Sequence, residues 1–311
     1  MNIPKAKISI VTPSYNQGEF LEDTIRSVIN QQPGNFSLQF IIQDNCSDDV
    51  TNRVLVKYNE RERIHIRVES DAGQADALYR GFQYSDGDIL GWVNSDDILL
   101  PNALESVARA FGENSSVDVI YGDAYFMDAV GVLESKCPTS KFNDSLLLST
   151  CFLSQPSVFF RRSLYERLGG INKDLHYCLD YNLWLKFYLA GANFYYLRKP
   201  LSATRVYDRT KTATGGKEFV DEILQMLQQE LGYIPDCWKL YYEYSKGKGF
   251  RPKNKLVSFI KASSRFLFHN PGSISEVLPY VIHIAKYKMR NYLTKYLPPF
   301  NKHYSEIKRQ N

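Results

Sequence analysis

The stretch Gly91-Trp92-Val93-Asn94-Ser95-Asp96-Asp97 reads as a buried strand, 89–93, running into an acidic tip. Carboxylates on adjacent residues repel each other and favour a cation. Hard oxygen ligands at a strand end suit Mg²⁺ or Mn²⁺, which take carboxylates together with the oxygens of a bound phosphate. A second reading stands beside it: a strand-to-helix turn in which Asp97 caps a helix over 102–111.

Upstream of the tip the pattern alternates. Strands are predicted over 7–12, 38–43 and 64–69, and helices over 19–30, 50–58 and 74–82. The first helix carries an apolar stripe of Phe20, Leu21, Ile25, Val28 and Ile29. Such βαβα alternation with short connections predicts a parallel sheet covered on both faces. Ligands of sheets of that type sit beyond the carboxyl ends of the strands. Downstream the pattern loosens, with strands over 117–121, 158–160 and 193–197, and helices over 163–168 and 180–189. After Gly215-Gly216 the chain is helical and basic, broken at Pro252, Pro271 and Pro298-Pro299.

Polar clusters fall at the predicted strand ends. The first is Thr12-Pro13-Ser14-Tyr15-Asn16-Gln17-Gly18, a turn into a helix N-terminus, which favours anions. Tyr15 could stack on a base or ribose there, or the turn could be a simple cap by Asn16. The second, from Gln43 to Asp49, offers Asp44 to a pyrimidine N–H, with Ser47 or Asp48 as helix cap. In the third, Asp71 and Asp76 flank Gly73, which lets a backbone approach a ligand. Asp76 also suits a first helical turn whatever its other role. Asp180 begins an apolar helix beside Tyr181, Leu183 and Trp184; partial desolvation would make it a better base, and a plain cap is the alternative.

Taken together, TPSYNQGEFLEDTIRSV, QDNCSDD, ESDAGQADALYRGF, GWVNSDDILLP, QPSVFFRR and LHYCLDYNLWLK resemble the family 2 glycosyltransferases, over about residues 7–214. The Trp and Asn before Ser-Asp-Asp resemble bacterial polysaccharide-building members. The resemblance implies a GT-A type α/β fold with a mostly parallel central sheet and a helical C-terminal extension. The GT-A domain is expected over 1–214, with a nucleotide-sugar half to about 100 and an acceptor half beyond it, and the basic extension over 215–311. It further implies inverting, metal-dependent transfer from a nucleotide-sugar, with UDP the expected nucleotide, to a glycan or lipid-linked glycan. Pro13, Tyr15, Asp44, Asp71, Gly73, Asp76 and Ser95 would hold the donor. Asn94, Asp96 and Asp97 would hold Mg²⁺ or Mn²⁺. Asp180 would be the catalytic base, with Gln155, His176 and Trp184 on the acceptor side. Three departures stand out: Asn94 replaces the first Asp of DxD, Leu179 replaces the Glu of a Glu-Asp pair, and Arg205-Val206-Tyr207-Asp208 lacks the His of an RxH segment. Asp208 or Lys211 is expected to serve in its place. A non-catalytic nucleotide-sugar-binding or scaffold protein with the same fold is the alternative, left room by Asn94 and Leu179.

Composition sets the bounds. At 311 residues the chain holds one large domain, or one plus an extension. No apolar run is long enough to span a membrane, and the first residues show no signal region. Five scattered cysteines without a CxxC pair favour reduced thiols and a cytoplasmic setting. From Leu231 onward there are 15 Lys and Arg against 4 Asp and Glu, a net of +11; the first 230 residues carry 23 against 30, a net of −7. Lys286, Lys288, Arg290 and Lys295 interleave with Tyr287, Tyr292, Leu293 and Tyr296, a pattern for an anionic membrane surface on the cytoplasmic face, or for a solvated helical face. No GxGxxG supports a dinucleotide fold, and residues 12–18 lack the basic loop of a nucleotidyltransferase. No base-reading motif supports nucleic-acid binding.

Overall fold

A computed structural model describes residues 5–32, 34–246 and 255–296. The chain divides into two compact units, Met1–Tyr233 and Ile234–Asn311.

The first unit opens as the alternation predicts: β1 (Ala6–Ser14), α1 (Gly18–Ile29), β2 (Phe36–Asp44), α2 (Thr51–Tyr58), β3 (Ile64–Val68), α3 (Gln74–Tyr84) and β4 (Ile89–Trp92). The four strands pair in parallel in the order β3-β2-β1-β4. Ile8, Ile10 and Val11 of β1 are wholly buried, and α1 turns Phe20, Leu21, Ile25 and Val28 onto the sheet. All four strands therefore point their carboxyl ends to one edge, where the polar clusters lie.

The rest of the unit comprises β5 (Ile98–Leu99), α4 (Ala103–Glu113), β6 (Val119–Met127), β7 (Leu133–Lys136), α5 (Asp144–Ser149), β8 (Val158–Arg161), α6 (Arg162–Arg167), α7 (Leu179–Leu189), β9 (Phe194–Arg205), α8 (Lys211–Thr214) and α9 (Gly216–Leu231). Here the sheet turns mixed. β8 runs antiparallel to β4 and to β6, β9 is parallel to β6, and β5 and β7 pair antiparallel with β9 and β6. The path ends at β5, yet β5 begins only six residues after the last residue of β4. That connection spans at most about 20 Å, so the sheet curls back on itself. This is the GT-A type architecture, a curled α/β sheet flanked by helices. The unit continues past the boundary expected at 214 and takes in α9, whose Val220, Ile223, Met226 and Leu227 are buried.

The second unit holds α10 (Asp236–Lys246), α11 (Lys255–His269) and α12 (Ile274–Tyr296) around Cys237, Leu240, Phe259, Val277 and Tyr280. Pro271 opens the short 3-10 turn between α11 and α12, a break the sequence marks, whereas Pro279 sits inside α12. Pro252 and Pro298-Pro299 lie outside the described residues. So do the side chains of Lys286, Tyr287, Lys288, Arg290, Tyr292, Leu293, Lys295 and Tyr296 at the far end of α12.

Candidate active site

The ends of β1 and β2 are tied together through one carboxylate. Asp44 is fully buried. Its Oδ1 accepts from Ser14 Oγ at 2.8 Å and from Ser47 Oγ at 2.7 Å, and its Oδ2 accepts from the Ser47 N–H at 2.9 Å. A carboxylate has about four acceptor positions, so one remains. Asn16, at φ 50°, accepts the Asp48 N–H and gives its own N–H to Ser47 Oγ. Asn16 thus bridges two loops and does not cap α1, whose N-cap is Gln17. The turn buries Pro13 and leaves Tyr15 58% exposed at the sheet edge.

The loop after β3 joins this cluster. Asn45 Oδ1 accepts the Asp71 N–H at 2.9 Å, and Asp71 Oδ1 accepts the Gly73 N–H at 2.8 Å. Asp71 Oδ2 is buried without a hydrogen-bond partner among the described residues. Burial, only partly offset by the Gly73 N–H, pushes this carboxyl above its ordinary range. Gly73 sits at φ 118°, a conformation that side chains disfavour, with open space where a Cβ would stand. Asp76 is held by the Ala72 N–H and by Arg80 at 2.7 Å. Arg80, unread in the sequence, thus locks this carboxylate to its own helix.

At the acidic tip the three expected metal ligands separate into different roles. Asp97 is 2% exposed; its Oδ1 accepts the Arg205 N–H at 2.9 Å and its Oδ2 accepts Asn94 Nδ2 at 3.1 Å. Asn94 Oδ1 accepts Gln74 Nε2 at 2.8 Å, and its Nδ2 also reaches Gln155 Oε1. Asp96 Oδ2 accepts from Tyr207 Oη at 3.0 Å and Gln17 Nε2 at 3.3 Å, while among the described residues no side chain hydrogen-bonds its Oδ1. Ser95 hydrogen-bonds Gln17 Oε1 and is buried. Burial raises the pKa of Asp96, and burial with the neighbouring Asp96 charge raises that of Asp97 well above the ordinary range. A cation at Asp96 would relieve both. Mg²⁺ and Mn²⁺ are commonly held by one or two carboxylates plus phosphate oxygens and water, and Asp96 Oδ1 fits that donor set. Among the described residues no group of three or more His, Cys, Asp or Glu gathers as a metal site.

Next to Asp208, one of the two residues expected beside the tip, Tyr207 contacts Asp96. Lys211 Nζ instead donates to the His176 carbonyl at 3.1 Å. Arg205 is 3% exposed, lies over the Phe20 ring at 4.6 Å and gives its Nε–H to the Asp96 carbonyl.

Asp180 occupies the first turn of α7. It is partly exposed, its Oδ1 accepts the Tyr181 N–H at 2.7 Å, and among the described residues no cation pairs with it. Burial raises its pKa to about 6. One turn further, Trp184 is wholly buried and stacks on Trp92 at 5.6 Å and 19°. Trp184 therefore lies in the core and not on an acceptor surface. Its contact docks α7 against Trp92, the last residue of β4, one helical turn from Asp180. Gln155 Nε2 donates to the Trp92 carbonyl at 2.7 Å, so Gln155 links the same strand end to Asn94. His176 is exposed at the approach to α7, with its pKa lowered by burial and by Lys211. Glu222 of α9 accepts the N–H groups of His176, Tyr177 and Cys178 at 2.6–2.8 Å.

The model of the family described as Glycosyl transferase family 2 matches residues 9–169. An uncharacterized glycosyltransferase of Rickettsia conorii is 27% identical over 202 residues, 60% of this chain and 32% of the relative. One from Rickettsia typhi is 25% identical, covering 67% of this chain and 66% of its own length. The putative teichuronic acid biosynthesis glycosyltransferase TuaG of Bacillus subtilis is 34% identical over 113 residues, 36% of this chain and 44% of TuaG. The matches span between 32% and 66% of the length of these relatives. Among solved structures, S. aureus TarS 1-349 in complex with UDP-GlcNAc superposes with a TM-score of 0.61 at 18% identity, over 92% of this chain and 89% of that one. The mannosyltransferase PcManGT from Pyrobaculum calidifontis, in complex with GDP-Man and Mn²⁺, gives 0.57 at 16%, over 94% and 84%. At these identities the likeness shows the fold.

Proposed function

The chain belongs to glycosyl transferase family 2, and we propose that it moves a sugar, with inversion, from a UDP-sugar to a hydroxyl of a glycan or lipid-linked glycan in surface polysaccharide synthesis. One observation carries the reading: Asp180 is a recessed carboxylate with no cationic partner among the described residues and a pKa raised by burial to about 6, borne on a helix that packs on the last residue of β4. A base of that strength accepts the acceptor's hydroxyl proton near neutral pH and typically contributes about 10²–10⁴-fold. The new bond to the anomeric carbon forms on the face opposite the departing diphosphate, which leaves with the electron pair. Mg²⁺ or Mn²⁺ at Asp96 would supply charge neutralisation of that leaving group. Tyr207 and Gln17 fix the orientation of Asp96, and Asn94 and Asp97 hold the tip in shape. Tyr15 offers a stacking face to the nucleoside. The remaining acceptor position of Asp44 and the unpartnered Oδ2 of Asp71 suit a pyrimidine N–H and a sugar hydroxyl.

The same proposal places the basic C-terminal unit on an anionic membrane surface. Among the described residues no helix is long and apolar enough to cross a membrane. Ile274, Leu278 and Ile282, spaced along one face of α12, are 43–49% exposed.

Thermal-shift titration with nucleotide-sugars, in Mn²⁺ and then in EDTA, tests the donor. A stabilisation by one UDP-sugar that EDTA abolishes is expected. NMR of the product tests the stereochemistry, and a retained anomeric configuration would overturn the inverting assignment.

A further inference from the structure

A second concave site lies away from the acidic tip. A surface cavity of about 500 Å³ counts Lys141, Arg198 and Lys199 among its lining residues. That volume falls within the ~300–1,000 Å³ range of small-ligand sites. None of the three cationic side chains has an acidic partner among the described residues, and all three residues are exposed. Elsewhere in this unit cations are commonly spent on neighbours, as with Lys136 on Asp123 at 2.6 Å and Arg80 on Asp76.

The cavity is built as well as charged. Its walls include Phe142 and Phe194, stacked at 4.3 Å and 16°. Tyr196 is fixed by stacking on Tyr121 at 5.2 Å and by donating its hydroxyl to Asp123 at 2.5 Å. Tyr195 adds a ring that is 38% exposed. The two adjacent cations stand on an irregularity of β9. Its register against β6 jumps from Gly122↔Leu197 to Asp123↔Pro200, leaving Arg198 and Lys199 without partners in the ladder. Bulges re-aim side chains. Gly122 allows this one, since a Cβ there would meet the Lys199 carbonyl at 2.7 Å.

Aromatic faces with flanking unpaired cations suit rings that carry anionic substituents. The first 230 residues have a net charge of −7, which opposes a ligand as densely charged as nucleic acid but tolerates one bearing a charge every sugar or two. A concave site also disfavours a flat lipid surface. From Lys199, β9 continues to Arg205, whose N–H binds Asp97. At ~3.3 Å per residue this places the cavity roughly 20 Å along the strand from the acidic tip.

We propose that this cavity is a second glycan site, which holds an anionic segment of the acceptor, uronate- or phosphate-bearing, away from the hydroxyl that is glycosylated. This assignment rests on the glycosyltransferase reading for its biological role, and its test is kept apart from donor binding. Calorimetry with the full chain uses oligogalacturonate, oligo(glycerol phosphate) and a neutral cello-oligosaccharide of matched length. We expect at least one acidic oligomer to bind and the neutral one to bind at least tenfold more weakly. Lys141→Gln/Arg198→Gln/Lys199→Gln and, separately, Tyr195→Ala should each weaken the acidic oligomer at least tenfold. UDP-sugar affinity should stay at the wild-type value in both variants. These four positions are all exposed, which protects the fold. Equal binding of the neutral oligomer, wild-type affinity in the triple variant, or no binding of either acidic oligomer would overturn the site. Variant-sensitive binding to phosphatidylglycerol vesicles without oligosaccharide binding would overturn it in favour of a lipid headgroup. Variant-sensitive oligosaccharide binding by a chain that takes no nucleotide-sugar would support the site while removing the donor assignment.

Discussion

At Asp180 burial outweighs the backbone N–H bonds that favour the charged form, and that fixes a pH dependence. Its pKa is raised to about 6, so the carboxylate is the major form above that pH and the acid below it. kcat/KM is therefore expected to fall as pH drops through about 6. Asp180→Asn should lower kcat by about 10²–10⁴-fold and remove that acid limb, with donor affinity unchanged. Initial rates from pH 5 to 8 check both; a limb that persists in the variant belongs to another group. Tyr207 supports Asp96 differently, by a hydrogen bond to its ionised form. A bond to a charged group contributes about 1.5–3 kcal/mol, so Tyr207→Phe should weaken Mn²⁺-dependent donor binding by roughly tenfold or more. Its ring would still pack on Phe20 at 5.0 Å, so the melting temperature should hardly move. The candidate acids could be picked out because Asp44 ends a strand, Asp71, Asp96 and Asp97 fall in marked turns after strands, and Asp76 and Asp180 fall in the first turn of a helix. Gln17 and Tyr207 were not assigned, because nothing in their neighbours tells which distant carboxylate they meet; Arg80 pairs with Asp76 one helical turn away, a local spacing that went unread. Trp184 was misread for the converse reason: adjacency to an acid in sequence does not say which face of a helix is buried.

At the scale of elements, α7 depends on a helix far from it in sequence. Glu222 of α9 takes three N–H groups at the start of α7, and Glu230 accepts Asn182 Nδ2 at 2.7 Å. Burial works to raise the Glu222 pKa, but the N–H groups of His176, Cys178 and Tyr177 outweigh it and hold it below its ordinary value. A lowered carboxyl contributes stability that is present above its unfolded pKa and lost as pH falls through the folded one. Glu222→Ala should cost about 1–3 kcal/mol at pH 7, with the deficit shrinking below about pH 4.5. Urea melts at pH 7 and pH 4 would show this. The rate should fall as well, because the turn carrying Asp180 loses its anchor. The parallel half of the sheet was readable from periodicity, since each βαβ unit is local. The curled half was not, because β5 has two residues and its partner β9 lies about a hundred residues away. The place of α9 in the first unit escaped for the same reason, as Glu222 and Glu230 look like ordinary charges on a solvated helix.

For the whole chain, charge is divided between its parts, with −7 on the first 230 residues and +11 beyond them. A membrane carrying anionic lipid attracts each juxtaposed Lys or Arg by about 1 kcal/mol, while the acidic front is repelled. The second unit is therefore expected to bear the contact. Charge alone would give weak, fully salt-reversible binding. The exposed Ile274, Leu278 and Ile282 on α12 add apolar area that could enter the interface, at about 25 cal/mol per Å² buried. The two contributions separate experimentally. The full chain should co-sediment with phosphatidylglycerol vesicles at low salt and not with phosphatidylcholine vesicles. Raising NaCl to 0.5 M should release most of it, because the Debye length falls to roughly 4 Å. Leu278→Glu/Ile282→Glu should weaken binding about tenfold at low salt without lowering the melting temperature, since both positions are exposed. Wild-type binding by that variant would leave charge as the only attraction, and no sedimentation with anionic vesicles would remove the membrane from the proposal while leaving the donor and base assignments intact.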